Sequence, residues 1–244
     1  MKQDYGVKVE LPKSTTKKLS KADIVYDFLL NGIIEGAWLP GDRINDKEIA
    51  EHLGVNRLAV REALSRLIQN DVVEQEQWKG YHIREITEND VQSLVEVRIS
   101  LEELAMRLFL QKDQTVQKQT LIQMRRTITD SLAYLEKGDH AKYMEIDFHF
   151  HELLYDASGN IMIAKIIANT RITTSIMRNL SMGKEFEEFK EAALISSNEH
   201  EQILAALEAG DLMQACAALN AHLGKTFVHN ILSHIHQNQY SKEA

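Results

Sequence analysis

A chain of 244 residues, 44% hydrophobic and 26% charged, is long enough for one large or two modest domains with real cores. A single cysteine, Cys216, excludes a disulfide framework, and neither a bilayer-spanning apolar run nor an apolar signal core in MKQDYGVKVELPK is present, so we expect a soluble, cytoplasmic protein with no membrane partner. The net charge of −8 argues against a general nucleic-acid coat, yet it is uneven: residues 1–86 carry 13 Lys and Arg against 14 Asp and Glu, and the remainder 15 against 22.

Two prolines and long 3.6-residue patterns predict a mainly α protein. Residues 1–19 are polar and Lys/Thr-rich and read as a mobile arm. Ser20 and Asp23 form a capping-box signature for a first helix from Lys21 to about Glu35, with Val25, Phe28, Leu29 and Ile33 inward. The turn-rich loop Gly36–Asp42 follows, and its Trp38 reads as core packing.

Asp46–Asn70, DKEIAEHLGVNRLAVREALSRLIQN, reads as two helices joined by a tight turn. Ile49, Ala50 and Leu53 give the first an apolar side, Gly54-Val55-Asn56 breaks it, and Asn56 suits the N-cap of the second. Val60, Leu64, Leu67 and Ile68 make one buried stripe, while Arg57, Arg61 and Ser65, with Leu58 and Glu62 beside them, face the other way. That is the plan of a helix-turn-helix, whose second helix enters the DNA major groove. An ordinary helical hairpin with a charged outer face has the same pattern. The run Val72–Glu76, the turn Gln77–Gly80 and the run Tyr81–Arg84 then predict a two-strand wing, with Lys79 and Gly80 at its tip to approach phosphate. A winged helix-turn-helix over 20–86 follows.

Thr87–Asp90 is a second capping signature, and residues 87–244 read as six or seven antiparallel helices: about 87–110, 115–137, 140–157, 161–182, 185–209 and 211–236. Asp147 and His151 stand at i, i+4 on one face. His200 and His222 lie 10 and 11 residues either side of the turn at Gly210-Asp211. In an antiparallel hairpin both sit roughly 15 Å from that turn. If the Asp147/His151 helix packs against the hairpin, an Asp-His-His-His cluster results, suited to Zn²⁺ foremost, with Ni, Mn or Fe as alternatives. Each histidine is equally compatible with a polar surface or hydrogen-bonded core role. His149 reads as surface, His229 could substitute for His222 or merely pack, and His234 and His236 read as solvated.

LPGDRINDKEIAEHLGVNRLAVREALSRLIQNDVV, followed by the KG of the wing, resembles the DNA-binding domain of GntR-family transcriptional regulators, with VREAL at Val60–Leu64 especially similar. The resemblance implies operator contacts by Lys47, Arg57, Arg61 and the wing around Gly80. Asn56 stands where the family commonly has Ser or Thr, and Leu58-Ala59 where it has Thr-Pro or Thr-Thr; Leu58 can pack on a thymine methyl. YMEIDFHFHELLYDASGN and NEHEQILAALEAGDLMQACAALNAHL resemble the FCD ligand-binding domain of the FadR-type branch. That likeness, spanning about 21–235, implies a divalent metal on Asp147, His151, His200 and His222 and a small organic or sugar acid as effector. Arg98 and Arg171 are our candidates for the effector's counter-charge, though both suit ion pairs as well.

The expected protein is a homodimeric, effector-controlled DNA-binding regulator, a repressor rather than an enzyme, acting on a double-stranded operator. Two rivals are a metal-dependent enzyme using the same cluster and a regulator whose signal is the metal itself.

Overall fold

The computed structural model describes residues 19–181, 186–233 and 235; most of the expected N-terminal arm, together with His234 and His236, lies outside the described residues. These residues cluster into two compact units, one up to Ile86 together with Ile172–Asn179, the other Thr87–Arg171 and the residues from Leu180 onward.

In the first unit, α1 (Lys21–Ile34) opens on the anticipated capping box, with Asp23 N–H donating to Ser20 Oγ and Ser20 N–H to Asp23 Oδ2. Its buried face is Val25, Phe28, Leu29 and Ile33, and Phe28 meets buried Trp38 edge-on at 5.7 Å. Asn45 caps α2 (Asp46–Leu53), which stops at Gly54 in the left-handed conformation, φ +62°. Asn56 caps α3 (Arg57–Gln69), its side-chain oxygen accepting from Ala59 N–H at 2.9 Å. Val60, Leu64 and Leu67 are buried as expected, with Ile68 at the margin.

The wing is larger than the sequence suggested. Strands β2 (Val73–Glu76) and β3 (Gly80–Ile83) pair antiparallel from Val73↔Ile83 to Glu76↔Gly80, but a further strand, β1 (Arg43–Ile44), lies on the other edge of β3. Two residues that follow a turn-rich loop carry no period to detect. The pairing is set by tertiary contacts: Ile44 is buried, and backbone bonds from Gly41 to Ile83 and from Ile83 to Asp42 extend the ladder.

The second unit comprises α4 (Glu88–Phe109), α5 (Gln114–Glu136), α6 (His140–Ser158), α7 (Ile161–Ser181), α8 (Phe186–Glu208) and α9 (Leu212–Leu219), α7 reaching also into the first unit. Thr87 and Asp90 cap α4 reciprocally. α6 packs on α4 and α5, and α8 packs on α5 and α9. Between α5, α6 and α8, Leu135, Tyr143, Phe189 and Ala193 form a small core.

The last helix corrects an expectation. Instead of one α-helix over 211–236, α9 gives way at Asn220 to a π-helical segment, Asn220–Phe227, and α geometry resumes at Val228. Ala215, Leu219, Leu223, Phe227 and Ile231 are all buried, a strict spacing of four. At 3.6 residues per turn each step of four overshoots by about 40°, roughly 160° over the set. A stretch with one more residue in each hydrogen-bonded ring holds the stripe on α4 and α8.

Candidate metal centre and nucleic-acid interface

Three helical stretches deliver one imidazole each. His151 comes from α6, His200 from α8 and His222 from the π segment, and one ring nitrogen from each lies within 4.8 Å of the others. His151 Nε2 and His200 Nε2 are 3.1 Å apart. All three residues are buried.

What each ring does with its other nitrogen decides the chemistry. His151 Nδ1 is 2.8 Å from Glu102 Oε2, His222 Nδ1 is 2.8 Å from Glu199 Oε2, and His200 Nδ1 is 3.3 Å from Asp147 Oδ1. A carboxylate at Nδ1 takes the N–H and leaves the lone pair on Nε2. Two such lone pairs at 3.1 Å repel unless a cation stands between them. Nitrogens held by one ion at about 2.0–2.1 Å and a tetrahedral angle sit about 3.3 Å apart, so the donor set fits a divalent metal.

Glu102 is the centre of the supporting layer. It is fully buried and accepts from Arg98 Nε and Nη2 at 3.1 and 2.9 Å, from Tyr155 Oη at 2.8 Å, and from His151. Burial pushes its carboxyl up, but His151 and Arg98 beside it, with the hydrogen bonds of His151 and Tyr155, hold it well below the usual carboxylate range. Burial also depresses His151, outweighing the pull of Glu102; a metal requires the neutral ring.

Of the sequence candidates, the three histidines converge, whereas Asp147 flanks His200, with Tyr143 and Ser196 hydroxyls each 3.3 Å from its Oδ1. Arg98 is buried and engaged by Glu102. Arg171 is exposed, 3.4 Å from Glu152 and over the Phe148 ring. His149 is exposed and bonded to Glu152, and His229 is not among the three converging rings. Glu102 and Glu199 escaped the sequence reading. Glu102 lies four residues after Arg98 on α4, and Glu199 immediately precedes His200, but no spacing rule links either to its imidazole.

The first unit carries the other candidate surface. Arg57 and Arg61 project from the start of α3 about half exposed, and both reach Asp46 on α2. Arg57 Nη2 is 2.8 and 2.9 Å from the two Asp46 oxygens, and Arg61 Nε is 3.0 Å from Oδ2. Burial raises the Asp46 carboxyl, and the bonds and charges of the two guanidiniums outweigh this and leave it lowered. Lys47 is exposed, 3.9 Å from Glu51, and Leu58 is 74% exposed. At the wing, Lys79 pairs with Glu76 and Gly80 has φ +93°. A cleft of about 550 Å³ between α3 and the wing is lined by Arg43, Asp46, Arg57, Arg61, Trp78 and Tyr81, among others. Arg43, Asp46, Trp78 and Tyr81 were not among the sequence candidates.

Comparison with known proteins agrees with both halves. Residues 21–83 match the model for bacterial regulatory proteins of the gntR family, and residues 93–225 match the FCD domain. The HTH-type transcriptional regulator LutR of Bacillus subtilis is 30% identical over 219 residues, covering 82% of this chain and 96% of that protein. The uncharacterized HTH-type transcriptional regulator YdhC of the same organism is 29% identical over 136 residues, 55% of this chain and 59% of that protein. The E. coli McbR/YncC structure superposes with a TM-score of 0.67 at 22% identity, covering 91% of this chain and all of that one, and supports the fold. No described helix is long and apolar enough to cross a membrane. The chain belongs to the GntR family of transcriptional regulators, in the branch that carries an FCD domain behind the helix-turn-helix.

Proposed function

We propose that this regulator is a homodimeric repressor whose operator affinity is set by a small carboxylate or sugar acid bound at a metal held by His151, His200 and His222. The reading rests above all on the three Nδ1–carboxylate pairs, because imidazoles anchored this way, with their lone pairs converging, suit a ligand set better than a packing motif. Asp147, beside His200, is the fourth ligand in this reading, and Zn²⁺ is the ion the nitrogen-rich set favours, ahead of Ni, Mn or Fe. The metal supplies a Lewis-acidic centre for an effector carboxylate. Arg98 is already bound to Glu102, so its part is to hold the support of His151; Arg171 stays a candidate for contact with an acidic ligand.

On DNA, Arg57 and Arg61, with Lys47, Asn56, Leu58, Lys79 and Gly80 around them, form the proposed operator surface. Two such surfaces in a dimer would read two half-sites, and a dimer seated there excludes the polymerase. An effector changes the outcome only through different affinities for the two dimer arrangements.

Elemental analysis tests the centre: wild type should carry about one metal per chain and His151→Ala and His222→Ala little, and equal contents sink the reading. Arg57→Ala and Arg61→Ala should each weaken operator binding and flatten its salt dependence. Titrating metal without organic acid separates the rival in which the ion is the signal, since operator affinity would then follow metal alone.

A further inference from the structure

One carboxylate stands between the two leading cations of α3. Asp46, the first residue of α2, has a side chain only 12% exposed, and it receives Arg57 through Nη2 and Arg61 through Nε. It is not what closes the start of α2, because Asn45 does that, accepting from the Lys47 and Glu48 N–H groups. A surface built only to grip phosphate gains nothing from an acid here, since the acid cancels about one of the charges that phosphate would meet.

The way the acid is engaged points to a different use. A guanidinium carries five N–H donors in a fixed fork. Asp46 takes Arg61 at Nε, the donor nearest the main chain, and leaves its terminal pair, Nη1 and Nη2, outside that bond. Two parallel N–H groups are what the O6 and N7 acceptors on the major-groove edge of guanine accept. An arginine tethered at Nε offers them in one direction. An untethered one swings to whichever phosphate oxygen is nearest, and it loses that freedom only on binding. Both arginines are about half exposed and line the same cleft as Asp46, so the tethered ends stand where a duplex can reach them.

We propose that Asp46 is a positioning residue for operator reading: it holds Arg57 and Arg61 toward base edges and restrains their grip on phosphate, lowering affinity for DNA at large and raising sequence selectivity. This rests on the operator surface proposed above.

The full-length chain is tested with two probes, a mixed-sequence duplex titrated at several salt concentrations and a randomised duplex library from which bound sites are recovered. Wild type should recover sites with a guanine at a position that Arg61→Ala leaves random. Asp46→Asn should bind the mixed-sequence duplex roughly tenfold more tightly at about 0.1 M salt, with a salt slope steeper by about 0.9, the increment of one phosphate. Its preference at the Arg61-dependent position should fall from the roughly 5–150-fold of a bidentate pair to within a few fold. A side chain that only braced the fold would, once replaced, weaken binding to every sequence alike and leave the recovered sites unchanged. Asp46→Ser, which also suits the first turn of a helix, carries the same expectations where Asp46→Asn does not fold. The proposal is overturned if the variant binds mixed-sequence duplex no more tightly than wild type, if it keeps the wild-type preference, or if wild type recovers no Arg61-dependent guanine. If Arg57→Ala and Arg61→Ala bind and select as wild type does, the DNA reading of this face falls instead.

Discussion

Glu102→Gln removes one charge and almost no volume at the point where the metal support converges. The carboxylate has no exposed surface and accepts four hydrogen bonds, two from Arg98 and one each from Tyr155 and His151. Deleting one member of a buried ion pair costs about 3–5 kcal/mol, because the other is left uncompensated. The amide oxygen can still accept from Arg98 and Tyr155, so the lower end, about 3 kcal/mol, applies, a large share of a total stability of about 5–15 kcal/mol. The amide nitrogen then faces His151 Nδ1 and donates, forcing the imidazole proton onto Nε2 and removing the lone pair aimed at His200. Metal affinity should fall about 10–100-fold. Denaturant unfolding in chelator reads the first number and competitive metal titration the second. A second substitution, Arg98→Met, should recover much of the stability by removing the stranded charge without restoring metal affinity. A Glu102→Gln protein that unfolds like wild type and binds metal as tightly would refute the assignment of both roles.

Asp46→Asn should narrow the gap to wild type in acid. The folded Asp46 carboxyl lies below its ordinary value, so its contribution is full above about pH 4 and is lost as pH falls through the lowered folded value; unfolding curves from pH 7 to pH 2 should therefore differ only at the upper end. Asn56→Ala removes the acceptor for Ala59 N–H and should cost about 1 kcal/mol by thermal unfolding, with the start of α3 frayed in hydrogen exchange. Phe28→Ala empties a site between α1 and Trp38 and should cost about 3–5 kcal/mol, too much to come from local surface loss alone.

The parts of the fold that were legible in the chain are those written in local chemistry. Ser20/Asp23 and Thr87/Asp90 announce two helix starts, Gly54-Val55-Asn56 announces the turn, and the apolar stripes give the faces. His200 and His222 could be brought together because both could be counted from the Gly210-Asp211 turn, whereas His151 joined them only on the condition that its helix packs against that hairpin. Glu102 could not. It meets His151 across 49 positions of sequence, and only the packing of α4 on α6 brings them into contact. Asp46, likewise, is an unremarkable first-turn acid until α2 crosses α3 and puts it between two arginines. The spacing of four from Ala215 to Ile231 was present in the sequence, but within the tolerance of a 3.6 pattern it reads as an ordinary helix.

The π segment sets by counting which face the residues beyond it present. Removing any one residue between Gly224 and Phe227 would let the stretch relax to an ordinary helix, and seven steps of about 100° from Leu223 would bring Ile231 back to within about 20° of its buried line, with His222 unmoved. At Gly224 the stretch packs on α4, where an added Cβ would make an ordinary contact 3.6 Å from Ile99 Cδ1. The segment therefore behaves as one residue too many taken up by the helix: it can be lost with the faces on either side kept, whereas a further residue added there would need a second such widening.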